Sequence, residues 1–506
     1  MFARIKKILK KRASLDATDG DPQAAEPIRD ENVLFLSDLH LGEACKNVSR
    51  IDYLKRGGRL DYHITSFLAH YTVNRLGNRP WRLVLGGDLL DFLQVTMTPK
   101  DTDSEQTQYG LSNSEIHSVW KLEKLMERHR AVFVHLADFV GNGNRLEIIQ
   151  GNHDVELFWP GVRSRFVDIL ESLYFGDEAG IEMERESFHD AINFHPWFLY
   201  LPGFAYMEHG HRFDEFCNTS PQLCPLRPNQ EELIVQPLSA IAIQYFANLE
   251  AGFATHDKEH WGLVDYIQYF RGGGLARATQ LLGRYTGLAY HSLKYYVTSG
   301  RFESARAISV HKEQLRATAA AYNLDEARLV ELDTMTAPSI MSNVFHVAAN
   351  VCLGEVLALL LTGATVAGCF ILGTKPALTL LIATLTAALS FGGALFLRRT
   401  YDRNIRGKLQ RAAQRINRLM DVPVVIFGHS HAPRLERLET NHRHFYVNSG
   451  SFLRPHGPVH DSDSPCNCRH TFVIIEKPDQ YQFPRPRLMT WCHVNQRSVE
   501  LPLDDN

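Results

Sequence analysis

The chain has 506 residues, of which 44% are hydrophobic and 22% charged, and a formal net charge of -3. That length exceeds one ordinary core, the composition excludes wholesale disorder, and the near-neutral balance gives no global pull toward nucleic acid. Eight cysteines stand at positions 45, 217, 224, 352, 369, 466, 468 and 492 without the dense spacing of a disulfide scaffold, which points to a reducing compartment. Cys466-Asn467-Cys468 has no second pair at a spacing that would complete a structural zinc site.

In residues 1–12, Phe2, Ile5, Ile8 and Leu9 share one helical face among six basic residues. This is the pattern of a helix resting on anionic lipid, or of a frayed basic tail. Residues 13–31 are acidic and Ala-rich and read as a linker. From Asn32 an α/β pattern begins. Val33 to Ser37 reads as a strand ending in Asp38-Leu39-His40, Tyr62 to Leu76 as a helix, and Leu83 to Gly86 as a strand delivering Asp88 into a loop. Residues 112–130 read as a helix. Arg145 to Gln150 reads as a strand ending in Gly151-Asn152-His153-Asp154, and Phe204 to Met207 leads into Glu208-His209-Gly210-His211.

Between Asp214 and Val422 the strand signal fades and helical periodicity takes over. Val356 to Thr374 and Ala377 to Leu397 carry no charged residue, and each is close to the roughly 20 residues needed to cross a bilayer. With Lys375-Pro376 between them and Arg398, Arg399, Arg403, Arg406, Lys408 and Arg411 after them, they predict a transmembrane hairpin whose basic flank is cytoplasmic. A buried hairpin in a helical bundle is the competing reading. Strands resume at Val422 to Phe427, which ends in Gly428-His429-Ser430-His431, and continue at Phe445 to Val447 and Thr471 to Glu476.

Asp38 and His40, Asp88, Asn152, His209, and then His429 and His431 form a series of metal-ligand types, each just past an apolar run. Alternate residues of an extended segment share a face, so Asp38 and His40 can meet one ion, as can His429 and His431. Together they supply mixed oxygen and nitrogen ligands for two divalent ions about 3.5–4 Å apart, with Asp88 bridging.

Taken as a set, Asp38-Leu39-His40, Gly87-Asp88-Leu89-Leu90-Asp91, Gly151-Asn152-His153-Asp154, His209-Gly210-His211 and Gly428-His429-Ser430-His431 resemble the five blocks of the calcineurin-like metallophosphoesterase superfamily. The resemblance covers roughly residues 32–214 and 422–476. It implies a four-layer αββα sandwich and a metal-dependent phosphohydrolase acting on a phosphodiester or pyrophosphate through a water activated by two ions, Mn first, with Fe or Zn as alternatives. It also implies that Asp38, His40, Asp88 and His431 hold one ion and that Asp88, Asn152, His209 and His429 hold the other. His153 is then the acid that serves the leaving oxygen, with Asp91 or Asp154 orienting it. The UDP-2,3-diacylglucosamine hydrolases look like the nearest functional analogue, although His153 stands where their third block typically has Arg.

The resulting organisation is a basic N-terminus and linker (1–31), a core split into 32–214 and 422–506, a helical insertion (215–345), a transmembrane hairpin (346–398) and a basic helix (399–421). The implied partners are a phosphorylated small-molecule or lipid-linked substrate and membrane lipids, with nucleic acid not among them. The implied location is integral to the membrane, with the catalytic domain on the cytoplasmic side. A scaffold without turnover and a metal-dependent nuclease are the competing functions.

Overall fold

The computed structural model describes residues 5, 30–42, 45, 58–176, 183–249, 274–299, 305–350, 353–399, 404–438, 443–453, 470–477, 483–493 and 495–501. Of the basic N-terminal segment only Ile5 falls within these, buried among the core side chains. Linker residues 13–29, Trp261 to Phe270, the glycines at 272 and 273, and Cys466 and Cys468 lie outside the described residues.

The chain is mixed α/β with several sheets and divides into two compact units: residues 1–235, 304–337 and 406–506, and residues 236–303 and 338–405. In the first unit the strands are β1 (Asn32–Leu36), β2 (Trp81–Gly86), β3 (Arg145–Ile149), β4 (Ile192–His195), β5 (Phe198–Leu201), β6 (Ala205–Glu208), a small hairpin of β7 (Leu226–Arg227) and β8 (Gln230–Ile234), β9 (Val424–Phe427), β10 (Arg434–Arg437), β11 (Phe445–Asn448), β12 (His470–Ile475), β13 (Pro486–Cys492) and β14 (Arg497–Glu500). One sheet runs β14-β13-β12-β1-β2-β3-β4, the other β10-β11-β9-β6-β5.

The first sheet is buried on both faces, which is why β1 to β3 read as near-continuous apolar runs. Side chains nonetheless alternate. Val33, Phe35, Val84 and Ile149 meet Leu199, Leu201, Met207, Val424, Ile426 and Val447 of the second sheet. Leu34, Leu36, Leu83, Leu85, Leu146 and Ile148 point the other way. That outer face is covered by α1 (Gly58–Val73), α2 (Glu115–Arg128), α3 (Arg130–Gly141) and α4 (Pro160–Phe175), whose Phe67, Trp120, Phe133 and Phe166 complete the core. Sequence reading stops a helix at 130, whereas the chain turns there and begins α3.

On the far side of the second sheet, Phe198 stacks on Tyr322, with ring centroids 5.5 Å apart. Tyr322 follows α5 (Ala305–Ala321), which is succeeded by α6 (Glu326–Thr334). The last helix of this unit, α7 (Ile405–Met420), buries Leu409, Ala413, Ile416 and Met420 and exposes Arg411, Arg415 and Arg418.

The second unit is helical. Ile241, Leu288 and Tyr295 form a small core, and Tyr245 stacks on His291 at 3.8 Å. The two uncharged runs are helices, Leu353–Ile371 and Pro376–Arg399, joined by a tight turn with Gly373 at φ 63° and packed on each other. Among the described residues no helix is long and apolar enough to cross a membrane. This overturns the transmembrane hairpin, and with it the integral membrane location and the cytoplasmic placement argued from the basic flank. Length and missing charge make such a run a candidate span and no more; along these helices the Thr362, Thr365, Thr384 and Ser390 hydroxyls donate to the carbonyl four residues earlier.

Candidate metal centre

The parallel strands bring the site together. Leu36 lies opposite Leu85, and Leu85 opposite Ile148, so the residues just past β1, β2 and β3 arrive at one edge. In the second sheet β6 and β9 are parallel with Met207 opposite Ile426, and the Gly428 N–H donates to the His209 carbonyl at 3.0 Å. Past the strand ends, the loops stay in step. The His40 N–H donates to the Asp88 carbonyl at 2.8 Å and the Leu41 N–H to the Leu89 carbonyl at 3.0 Å.

Asp38, His40, Asp88, His429 and His431 all have left-handed backbones, with φ between 47° and 64°. Such φ values are uncommon outside glycine, and strained residues concentrate where surrounding structure fixes side chains for a purpose. Two glycines permit the close packing. Gly151 lies so near Asp88 that a β-carbon would collide with its carboxylate, and Gly87, at φ 90°, lies equally close to the His209 ring.

The carboxylates and imidazoles interlock. His431 Nε2 lies 3.0 Å from Asp38 Oδ1, and His40 Nε2 lies 3.3 Å from His431 Nε2, 3.9 Å from Asp38 Oδ1 and 3.7 Å from Asp88 Oδ2. On the other side of Asp88, His209 Nε2 lies 3.1 Å from Asp88 Oδ2 and 3.2 Å from Asn152 Oδ1. His209 Nδ1 is hydrogen-bonded to the Gly86 carbonyl at 3.0 Å, which aims Nε2 inward as a ligating imidazole requires. His211 is turned elsewhere, toward Thr219 Oγ1 at 3.3 Å. His429 donates its backbone N–H to Asp38 Oδ2 at 3.2 Å, but its Nε2 meets Asp214 Oδ2 at 3.2 Å.

Around this cluster, His153 Nδ1 lies 3.1 Å from Asp91 Oδ2, and the His153 N–H donates to Asp88 Oδ1 at 2.8 Å. Asp91 is fixed by the Gln94 side chain, which donates to Oδ2 at 2.6 Å. Asp154 instead clamps backbone, accepting from Gly151 at 2.6 Å and from Leu89 at 2.8 Å. It thus ties the loop after β3 to the loop after β2 and leaves Asp91 as the carboxylate beside His153.

Electrostatics follow from burial and proximity. Burial alone would raise the Asp88 carboxyl, but His209, His153 and His40 more than reverse this and hold it well below the usual range. Burial likewise opposes Asp38, and His431 and His209 overcome it, leaving its pKa lowered. Burial would lower His209, yet Asp88 and Asp38 push it up to about 9. Burial and the neighbouring Asp88 charge push Asp154 up to about 7. A cation arriving here would replace imidazole protons and release them.

Among the described residues, four groups have one ligand atom per residue within 4.8 Å of the others: Asp38-His40-His431, Asp38-Asp88-His209, His40-Asp91-His153 and Asp214-Cys217-His429, all buried except the half-buried His431 and Asp214. Such His and Asp clusters could hold a metal ion. The last includes two residues that sequence reasoning passes over, because neither Asp214 nor Cys217 follows an apolar run. His429 groups with them rather than with Asp88 and His209. Ser37 and Ser449 are also missed; their hydroxyls lie 2.6 Å apart, and Ser37 bonds the Asp38 carboxylate.

A cavity of about 280 Å³ opens nearby, lined by Arg406, Ser430, Ala432, Pro433, Arg434 and Tyr446. Ser430 places it directly beside the two histidines of the last block. No protein-family model, curated protein or solved structure matches the chain.

Proposed function

We propose that the chain is a dinuclear-metal phosphohydrolase of the calcineurin-like superfamily, built on that superfamily's four-layer αββα sandwich and cleaving a phosphodiester or pyrophosphate. The observation that carries this reading is the position of Asp88. Its Oδ2 lies 3.7 Å from His40 Nε2 and 3.1 Å from His209 Nε2, so one carboxylate oxygen stands between imidazoles from two ligand sets. Asp38, His40, Asp88 and His431 would hold the first ion, and Asp88, Asn152 and His209, with His429 beside them, the second. Two divalent ions, Mn foremost and Fe or Zn as alternatives, supply Lewis acidity and an acidified water when bound.

The remaining work belongs to the chain. His153, with Nδ1 3.1 Å from Asp91 Oδ2, would use Nε2 for a proton that neutralises the leaving oxygen. The strained loops and the Asp154 clamp fix the ligands before substrate arrives, so little reorganisation is needed during reaction. The Arg406 and Arg434 cavity beside Ser430 suits a second anionic group, which favours a diphosphate or diester over a simple monoester.

The test is hydrolysis by the purified full chain, stripped of metal and reloaded with Mn²⁺, of a monoester, a diester and a diphosphate panel. Turnover of a diester or diphosphate is expected, together with its loss in folded Asp88→Asn. Inertness with Mn²⁺, Fe²⁺ and Zn²⁺ alike, or undiminished turnover in the variant, would end the reading.

A further inference from the structure

We propose that Asp214, Cys217 and His429 form a third metal position beside the dinuclear centre, with the Cys217 thiolate among its ligands and a consequent preference for a thiophilic ion such as Zn²⁺ or Co²⁺. The proposal rests on the functional reading only in sharing His429, one of the seven ligand residues that the five blocks supply.

The geometry is already close to that of a bound ion. Ligand atoms on a tetrahedral centre with nitrogen bonds of about 2.0–2.1 Å and sulfur bonds of about 2.3 Å lie roughly 3.3–3.6 Å apart. His429 Nε2 and Asp214 Oδ2 stand 3.2 Å apart, and Cys217 Sγ completes a group within 4.8 Å. A side-chain adjustment of about 1 Å closes the set. The turn after the fourth block makes the arrangement local. Asp214 Oδ1 accepts from the Phe216 N–H at 2.9 Å, which leaves Oδ2 to face His429, and the Asp214 carbonyl accepts from the Cys217 N–H at 3.1 Å, which folds Cys217 back onto the same side.

The chemistry of the set differs from that of the neighbouring centre. Carboxylate, amide and imidazole suit Mn²⁺ and Fe²⁺, whereas a thiolate selects softer ions. Cys217 is buried and not in a disulfide, and the Asp214 side chain remains 17% exposed, so an ion has a polar way in. Binding sends the thiol proton to solvent. Because the Nε2 of His429 faces Asp214, this position can fill without displacing Asp88, Asn152 or His209 from the second ion.

The test uses the full chain titrated with Co²⁺. A sulfur-to-cobalt charge-transfer band in the near ultraviolet is expected, absent in Cys217→Ser and requiring about tenfold or more Co²⁺ in Asp214→Asn. Zn²⁺-loaded wild type should show a sulfur shell at about 2.3 Å by X-ray absorption, a measurement that stands even if the serine variant does not fold. No band and no sulfur shell, or a band that survives Cys217→Ser, would overturn the proposal. Asp88→Asn separates the two readings, because it should lose turnover and keep the band. A wild type with the band but no hydrolysis defeats the functional reading alone, and hydrolysis without the band defeats this one alone.

Discussion

His470 offers a quantitative check on the packing that backs the site. It sits on β12 at the edge of the core, 3% exposed, with Nδ1 2.5 Å from the Phe452 carbonyl and its ring 4.9 Å from that of Phe452 and 4.2 Å from that of His63. Burial pushes its pKa down to about 4, with the nearby His493 acting the same way and the Phe452 hydrogen bond opposing. An unfolded histidine titrates near 6.5, so between those values the unfolded state binds more protons than the folded one. Stability from a neutral His470 is therefore fully present above about pH 6.5, declines as pH falls, and is lost through pH 4. A gap of about 2.5 units at 1.36 kcal/mol each amounts to roughly 3 kcal/mol. Urea midpoints of wild type and His470→Gln, measured from pH 7.5 to 3.5, isolate this group from all others that titrate. The stability difference between the two should shrink by about 3 kcal/mol in favour of the variant as pH drops. Parallel profiles would refute the assignment of a buried neutral imidazole.

Three further outcomes are expected. Asp91→Ala removes the carboxylate 3.1 Å from His153 Nδ1 and should lower kcat with Mn²⁺ by about 10²–10⁴-fold; an unchanged kcat would deny His153 its role. Glu147→Ala deletes a buried carboxylate paired with Arg82 at 3.6 Å and His195 at 2.8 Å, and should cost about 1–3 kcal/mol in chemical denaturation, because buried Arg82 and His195 each lose a partner while Glu31 still pairs with Arg82. Gly151→Ala places a methyl against the Asp88 carboxylate, so about 1–3 kcal/mol of overpacking should accompany weakened Mn²⁺ binding by calorimetry; wild-type affinity would show that Asp88 can yield without consequence.

The central strands were legible because both faces of the first sheet are buried. Continuous apolar runs with an Asp, Asn or His just beyond them gave β1, β2, β3, β6 and β9 within a residue or two. The edges were not legible. β4, β5, β13 and β14 are short or only partly apolar and take their shape from pairing with distant segments. The convergence of the blocks was inferred from chain order, whereas the meeting of Asp214 with His429 joins residues 215 apart and leaves no local pattern to read. Asp154 was legible as a polar loop residue but not as a backbone clamp, since its partners Leu89 and Gly151 belong to two different loops. The uncharged runs mislead for the opposite reason: length and missing charge are visible locally, and they mark a candidate span without establishing one.

The inserted second unit has a practical corollary. Asp38, His40, Asp88, Asn152 and His209 precede it, and His429 and His431 follow it. Yet β1 pairs with β12 and β6 with β9, so the leading and trailing stretches are laced by backbone ladders and do not depend on covalent continuity for their register. A molecule nicked between residues 338 and 405 should therefore stay assembled. The two portions, produced as separate polypeptides in one cell, would make this chain a candidate for split-protein complementation, with each fragment inert alone.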